Sequence, residues 1–320
     1  MKHSARGGPE QYWLTAIKSK ASYIIALALL GLVAWAVLFP RADHGPVEIA
    51  QELQPSKEAR DSAQGTSRME IAHWALTHEA LVQQKEADKE LGVELVFYGD
   101  SITESWRGTQ FGQIIDRAAN IPEVFAKHYG NLKAAVYAIA GDTAGNLLWR
   151  LHHGEGLSGL TPLVVCVLIG TNDLIYQPNL LDAEAVAANV STGASAVVDA
   201  ILEQAPKAQV LLLGLLPRGD RTVEAPPLRY LQPSKFTAAI QATNERMKAY
   251  ATLHKRVDFV DCGHVFVEKH KDSGDSVLIR GLMPDVLHPS AEGMELLAQC
   301  LKPHLKRAGI NASRRRLLLL

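Results

Sequence analysis

Short apolar runs alternate along the chain with longer segments whose apolar residues return at helical spacing. The runs are nearly continuous in apolar residues, which is typical of strands buried on both faces of a parallel sheet; they are Val93–Tyr98, Ala134–Ile139, Leu163–Ile169, Val210–Leu216 and Val257–Val260. Strands that alternate with helices predict right-handed βαβ units. We therefore expect one α/β domain over residues 67–307, with three layers (α/β/α) around a doubly wound parallel sheet.

Apolar residues at helical spacing predict amphipathic helices at the start, in the middle and at the end of this domain. They are marked by Ile71, Trp74, His78, Leu81 and Val82, by Val186, Val190, Val197, Ile201 and Leu202, by Phe236, Ile240 and Met247, and by Met294, Leu297, Leu301 and Leu305. Ser290 precedes the last stripe and is a suitable N-cap, because its hydroxyl can accept from a backbone N–H of the first turn.

The chain has no charged residue over residues 21–40. As a helix this run would be about 30 Å long, which matches the hydrocarbon layer of a bilayer. Residues 1–20 carry four basic residues and one acidic residue, whereas residues 41–61 carry three basic and five acidic residues. This asymmetry predicts a cytosolic N-terminus and places the folded domain on the lumenal, extracytosolic side.

Two interpretations of residues 21–40 stay open. Ala34-Trp35-Ala36 resembles a signal-peptide cleavage site, and cleavage would give a secreted domain. The apolar run continues past that site and is longer than a usual signal core, which favours a single-pass transmembrane signal-anchor. Residues 41–66 are polar and predict a linker, and residues 308–320 form a tail.

Composition narrows the function classes. The 320 residues are 47% hydrophobic and 21% charged, which excludes a chain that is disordered throughout. The net charge of −1 argues against a nucleic-acid partner, since no global basic field is present to bind phosphates. Three cysteines are too few for a disulfide framework or a zinc cage, although Cys262 and Cys300 could pair in an oxidising lumen.

Small and polar residues follow the predicted strands, where open α/β sheets bind their ligands. Ser101 follows the first run at Gly99-Asp100-Ser101, and near the other end of the domain Asp285 stands three residues before His288. A carboxylate at that spacing can hold one imidazole nitrogen, which leaves the other to take a proton from a serine. Ser101, His288 and Asp285 are therefore candidate catalytic residues.

Gly141 and Asn172 follow two further predicted strands. A glycine N–H and an asparagine amide, together with the N–H of Ser101, would supply three donors to an oxyanion. Each signal alone also fits an ordinary turn. Their joint position at strand ends favours a nucleophilic site with an oxyanion hole.

These residues resemble those of the SGNH (GDSL-type) hydrolases. The family's blocks appear as Gly99–Glu104, Gly170–Asp173 and Asp285-x-x-His288, and its four named residues match Ser101, Gly141, Asn172 and His288. Further blocks resemble the catalytic alpha subunits of the intracellular platelet-activating factor acetylhydrolases; they are Gly141–Thr143, Leu148–Leu151 and Gly214–Gly219. The N-terminal segment departs from those cytosolic enzymes, so their substrate and scaffold partners are not carried over.

The resemblance implies a flavodoxin-like sheet, a Ser101-His288-Asp285 triad and an oxyanion hole from Ser101, Gly141 and Asn172. It also implies hydrolysis of acyl or acetyl esters without a metal or an organic cofactor, and it suggests a homodimer. The substrate would be a small acyl ester or an acylated lipid or glycan. Two alternatives stay open: a membrane-anchored O-acyltransferase that modifies a glycan or lipid, and a non-catalytic binding module on the same fold.

Overall fold

Five apolar strands form the central parallel sheet of the domain. A computed structural model describes residues 68–177, 179–220, 230–269, 274 and 276–310. Its central strands are β1 (Leu95–Gly99), β2 (Ala134–Ala138), β3 (Val164–Leu168), β4 (Gln209–Leu213) and β5 (Val257–Val260). They coincide with the five predicted runs to within a few residues at each end.

The strands lie in the order 2-1-3-4-5 and all neighbours are parallel. This is the order of flavodoxin-like sheets, in which the strand order reverses between β1 and β3. Leu95 of β1 lies opposite Ala134 on one side and opposite Val164 on the other. The predicted α/β architecture with a parallel sheet is therefore confirmed.

Helices cover both faces of the sheet. They are α1 (Arg68–Leu91), α2 (Ser101–Glu104), α3 (Ile121–Tyr129), α4 (Ala144–His152), α5 (Ala183–Gln204), α6 (Thr237–Thr252) and α7 (Ala291–Arg307). Ser290 caps α7 as predicted, because its side chain accepts a hydrogen bond from Gly293 N. The helical stripes predicted from the sequence correspond to α1, α5, α6 and α7.

Two apolar cores lie on opposite faces of the sheet. Side chains that alternate along each strand separate into the two cores; in β1, Val96 and Tyr98 face α1, α4, α5 and α6, whereas Leu95 and Phe97 face α3 and α7. The central strands are buried on both faces, which explains why their sequences are apolar at nearly every position.

Shorter elements border the carboxyl edge of the sheet. A hairpin joins Thr109–Gln110 to Gln113–Ile114, and a small antiparallel sheet joins Leu231–Gln232, Ser276–Leu278 and Val267–Lys269. Single 3₁₀ turns cover Ser105–Arg107, Asp116–Ala118, Asp173–Tyr176 and Gly263–Phe266. A disulfide joins Cys262, after β5, to Cys300 in α7, and Cys166 is a buried thiol in β3.

The predicted segments 1–20, 21–40 and 41–66 lie outside the described residues, as does most of the predicted tail, and these assignments stay predictions. Within the described part of the chain, α5 is the one helix long and apolar enough to cross a bilayer, by length and composition only. Half of its most apolar stretch is buried inside the domain, as expected of a core helix.

Candidate active site

Ser101 is the first residue of the short helix α2, immediately after the tight turn that follows β1. The Asp100 side chain caps this helix by accepting a hydrogen bond from Ile102 N at 2.9 Å. Gly99 is required for the turn, because a Cβ there would lie 2.3 Å from Thr103 Oγ1 and 2.4 Å from the carbonyl oxygen of Leu168. The close packing of β1 against α2 and β3 therefore presents Ser101 at the carboxyl edge of the sheet.

His288 lies in a turn that immediately precedes α7. Asp285 Oδ1 accepts hydrogen bonds from the backbone N–H groups of Leu287 at 3.1 Å and His288 at 2.7 Å. Val286, which follows Asp285 in this turn, has φ of +61°, a left-handed conformation that is rare for a β-branched residue and costs free energy. Its carbonyl oxygen accepts from Gly219 N at 2.8 Å, which helps to hold the turn.

A chain of hydrogen bonds joins Ser101 to Asp285 through His288. Ser101 Oγ lies 2.9 Å from His288 Nε2, and His288 Nδ1 lies 2.7 Å from Asp285 Oδ2. Ser101 and His288 are each 7% exposed, although 187 residues separate them in the sequence. A hydroxyl, an imidazole and a carboxylate linked in this order are the groups that activate a serine nucleophile.

The electrostatics of Asp285 favour its ionised form. Burial raises the pKa of this carboxyl, but the hydrogen bond and charge of His288 and the two backbone N–H groups lower it more. The resulting pKa lies well below the usual range for aspartate. Asp285 is thus ionised near neutral pH and can stabilise an imidazolium at His288.

Gly141 and Asn172 follow β2 and β3, the two strands that flank β1 in the sheet. Gly141 has φ of +78°, a conformation that glycine adopts at little cost. Asn172 Nδ2 donates to the carbonyl oxygen of Asp142 at 2.8 Å, which fixes the side-chain amide and leaves its second hydrogen to point elsewhere. No described residue accepts a hydrogen bond from the N–H of Ser101 or Gly141.

Glu104 was not among the site residues predicted from the sequence. Its fully buried carboxylate joins the Ser101 helix to the segment that contains Gly141. Glu104 Oε2 accepts from Ala140 N at 2.6 Å and from Phe111 N at 3.1 Å. Its Oε1 accepts from Gly112 N and from Thr109 Oγ1, each at 2.8 Å. One carboxylate therefore holds both the Gly141 segment and the 109–114 hairpin in place.

A buried ionic network holds the other end of the Gly141 segment. Asp142 accepts from Trp74 Nε1 at 2.6 Å and from Arg150 Nε at 2.7 Å, and Arg150 also pairs with Glu155. Arg150 and both carboxylates have no exposed side-chain surface. Burial raises the pKa of Asp142 to about 6, although Arg150 and the Trp74 N–H oppose this shift.

Arg150 and Arg218, which belong to two of the sequence blocks described above, are both buried. Arg150 forms the ion pairs with Asp142 and Glu155, whereas Arg218 donates to the backbone carbonyl and hydroxyl of Thr171, next to Asn172. No signal in the sequence identified Asp142 as the partner of Trp74 or Ala140 as a partner of Glu104, since these contacts join residues 68 and 36 positions apart. Among the described residues, no His, Cys, Asp and Glu side chains cluster as three or more potential metal ligands.

The matched family extends over most of the described domain. The family model described as "GDSL-like Lipase/Acylhydrolase family" matches residues 97–296, which include Ser101, Gly141, Asn172 and His288. The chain belongs to this family. The fold and the blocks expected from the sequence are those of the GDSL-like lipases and acylhydrolases.

Curated relatives include subunits of platelet-activating factor acetylhydrolase IB. The alpha1 subunit of Bos taurus is 29% identical over 234 residues, which cover 73% of this chain and 83% of the relative. The alpha2 subunit of Gallus gallus is 34% identical over 163 residues, or 51% of this chain and 58% of the relative. As a member of the GDSL-like family with these relatives, the protein is an ester-hydrolysing enzyme.

A solved structure from Streptococcus pneumonia, provisionally described as a platelet activating factor, shares the fold. The TM-score is 0.50 at 20% sequence identity, and the alignment covers 71% of this chain and 92% of the other. At this identity the similarity concerns the fold alone.

Proposed function

We propose that this GDSL-like enzyme is a serine esterase in which Ser101 is the nucleophile, His288 the general base and Asp285 the residue that orients the imidazole. The observation that carries the proposal is the hydrogen-bonded chain from Ser101 Oγ through His288 to Asp285, with lengths of 2.9 and 2.7 Å. Such a chain is the geometric signature of an activated serine.

In the proposed first half-reaction, Ser101 Oγ bonds to the carbonyl carbon of the ester while its proton passes to His288 Nε2. The carbonyl oxygen becomes an oxyanion between the N–H of Ser101, the N–H of Gly141 and the second hydrogen of the Asn172 amide. Three donors that are already oriented need no rearrangement when the charge develops, which lowers the barrier. The alcohol then leaves with the proton from His288, and the acyl group stays on Ser101.

In the second half-reaction, His288 takes a proton from water and the resulting hydroxide attacks the acyl carbon. The same donors stabilise the second oxyanion, and the bond to Ser101 breaks as His288 returns the proton to Oγ. The products are a carboxylic acid and an alcohol. Ionised Asp285 holds Nδ1–H throughout and stabilises the imidazolium that forms twice in each cycle.

The proposed substrates are carboxylic esters with a short acyl group, including acetyl esters. Support comes from the relatives, which are subunits of platelet-activating factor acetylhydrolase IB.

Labelling with a fluorophosphonate tests the proposal without the natural substrate. The reagent is expected to modify Ser101, and Ser101→Ala should abolish both the labelling and the hydrolysis of 4-nitrophenyl acetate. Ser191→Ala is the matched control, because Ser191 is a buried serine in α5 whose hydroxyl donates to Ala188 O. Label on another serine, or unchanged turnover by Ser101→Ala, would remove Ser101 from the mechanism.

We also propose that the catalytic domain lies on the extracytosolic side of a membrane and that residues 21–40 anchor it there. The Cys262–Cys300 disulfide supports this location, because disulfides persist in oxidising compartments. In cells, the two thiols should resist alkylation until a reductant is added, and the domain should survive protease added to sealed vesicles. Alkylation without reductant, or digestion of the domain in sealed vesicles, would place it in the cytosol.

A further inference from the structure

The hairpin of residues 109–114 lies next to the Ala140–Asp142 segment. The two contact each other through the Phe111 ring, because a Cβ built on Gly141 would lie 3.7 Å from Phe111 Cζ, which is ordinary van der Waals contact. The ring is half-buried and also packs against the apolar core beneath α1 and α4. Phe111 is thus a direct neighbour of one proposed oxyanion donor.

The backbone of Phe111 has a conformation that is unfavourable in free energy. Its φ is +50°, in the left-handed region that bulky side chains rarely adopt. Such backbone strain persists only where surrounding contacts impose it. Here the buried Glu104 carboxylate accepts from the N–H groups of Phe111 and Gly112 and, at the same time, from Ala140 N. The ring and the Gly141 segment are therefore fixed relative to each other by one side chain.

A cleft of about 440 Å³ lies between the hairpin and α1, and Phe111 is one of its lining residues, whereas Gly141 is not. Its walls include Thr77, Ala80 and Gln84 from α1 and Phe111 and Gln113 from the hairpin. No carboxylate lines it, and the lining mixes apolar carbon with hydroxyl and amide groups, the His73 imidazole and the Arg107 guanidinium. The charge of Arg107 is already engaged, because this side chain pairs with Glu104 and donates to the carbonyl oxygens of Val136 and Ala138. This surface suits an uncharged group that is partly apolar and carries hydrogen-bonding oxygens.

We propose that this cleft is a substrate subsite and that Phe111 determines specificity by closing it toward Gly141. The inference rests on the proposed serine-esterase function. An ester bound at Ser101 has its carbonyl oxygen at Gly141, so a bulky neutral substituent directed to this side meets the Phe111 ring first. The ring restricts the group on this side to a small size, and the volume behind it accepts a larger group once the ring is removed.

Phe111→Gly is the decisive variant, because glycine adopts a φ of +50° without a steric cost and leaves the Glu104 hydrogen bonds in place. Two pairs of esters test the alcohol half and the acyl half of the substrate separately. Ethyl acetate and cyclohexylmethyl acetate differ in the alcohol, and 4-nitrophenyl acetate and octanoate differ in the acyl group. In at least one pair, the kcat/KM ratio of the bulky to the small ester should rise at least about tenfold, since even one methylene in a pocket is worth about that much.

Two further variants locate the effect. Ile114→Gly removes an apolar side chain from the same hairpin that is 92% exposed, and it should leave both ratios within about twofold of the wild type. Ala80→Trp added to Phe111→Gly refills the cleft from α1 and should return the raised ratio toward the wild-type value. Thermal melting of each variant reports whether the domain stays folded.

The subsite is overturned if both ratios for folded Phe111→Gly stay within about twofold of the wild type, or if Ile114→Gly raises them equally. Phe111→Leu keeps an apolar side chain for core packing and should give an intermediate ratio, so the inference stays testable if the glycine variant unfolds. A wild-type chain that hydrolyses none of the four esters and takes no fluorophosphonate label would instead refute the proposed function. The pair whose ratio rises identifies the half of the ester that enters the cleft.

Discussion

The two sides of the candidate site are built in different ways. On one side, His288 is hydrogen-bonded directly to both Ser101 and Asp285, so the three side chains align one another. On the other side, the Ala140–Asp142 segment would contribute the backbone N–H of Gly141 to the proposed oxyanion hole. Residues outside the proposed chemistry hold this segment: Glu104 accepts from Ala140 N, and Trp74 and Arg150 donate to the Asp142 carboxylate.

This difference predicts different responses to mutation. On the Ser101 side, a substitution removes a reacting group but leaves few buried charges unpaired, since Asp285 is partly exposed. On the Gly141 side, Glu104, Asp142 and Arg150 are fully buried charged residues, so we expect that replacing one of them lowers the stability of the domain. The proposed catalytic roles and the structural roles should therefore be separable by mutation.

The largest effect on stability is expected for Arg150→Ala. This substitution leaves the Asp142 and Glu155 carboxylates buried without their shared cation, and breaking a buried pair in this way typically costs about 3–5 kcal/mol. Urea unfolding measures the loss. Arg246→Ala, which removes a surface pair with Glu184, is the control and should cost less than about 1 kcal/mol. Equal losses of unfolding free energy for the two variants would show that the buried network does not support the Ala140–Asp142 segment.

A smaller effect, on rate rather than stability, is expected for Asn172→Ala. Loss of one oxyanion donor typically lowers kcat by about 10²–10³-fold, or about 2.7–4 kcal/mol of transition-state stabilisation. Steady-state kinetics on 4-nitrophenyl acetate measure it. Asn189→Ala removes an exposed amide that bonds Gln177 and should leave kcat unchanged. A decrease of less than threefold for Asn172→Ala would make this amide structural.

The smallest expected effect depends on pH and concerns Asp100, beneath the nucleophile turn. Asp100 is 1% exposed, and within the described residues its Oδ2 atom has no hydrogen-bond partner. Burial raises the pKa of this carboxyl to about 7; the Ile102 N–H opposes the shift, and the nearby Asp142 and Asp173 add to it. The unfolded chain has already lost this proton by about pH 5, so the folded state loses stability as pH rises through about 7.

Asp100→Asn removes this pH-dependent loss. The Tm of the variant relative to the wild type should therefore be higher at pH 8 than at pH 5, by about 4 °C if about 1–2 kcal/mol is recovered. Asp182→Asn, at the exposed N-cap of α5, is the control and should show the same difference at both pH values. A relative Tm of Asp100→Asn that does not change between pH 5 and pH 8 would contradict an ionised, buried Asp100.

The alternation of apolar runs and helical stripes was sufficient to predict the layers and the parallel sheet. A strand buried on both faces has to be apolar throughout, so this pattern records the environment of each strand directly. The residues of the Ser101 side could also be named in advance, because Gly99-Asp100-Ser101 and Asp285-x-x-His288 are short motifs whose spacing reflects local turns.

The sequence by itself therefore determined the architecture and the identities of Ser101, Gly141, Asn172, Asp285 and His288 as candidates. Only the tertiary structure decided what supports them: the Trp74 contact with Asp142, the Glu104 carboxylate shared by two segments, and the left-handed Phe111 against Gly141. These contacts join residues far apart in the chain, and a buried charge or an aromatic ring has no sequence period that reveals its partner. Local periodicity encodes burial, whereas the pairing of buried groups depends on how the layers pack.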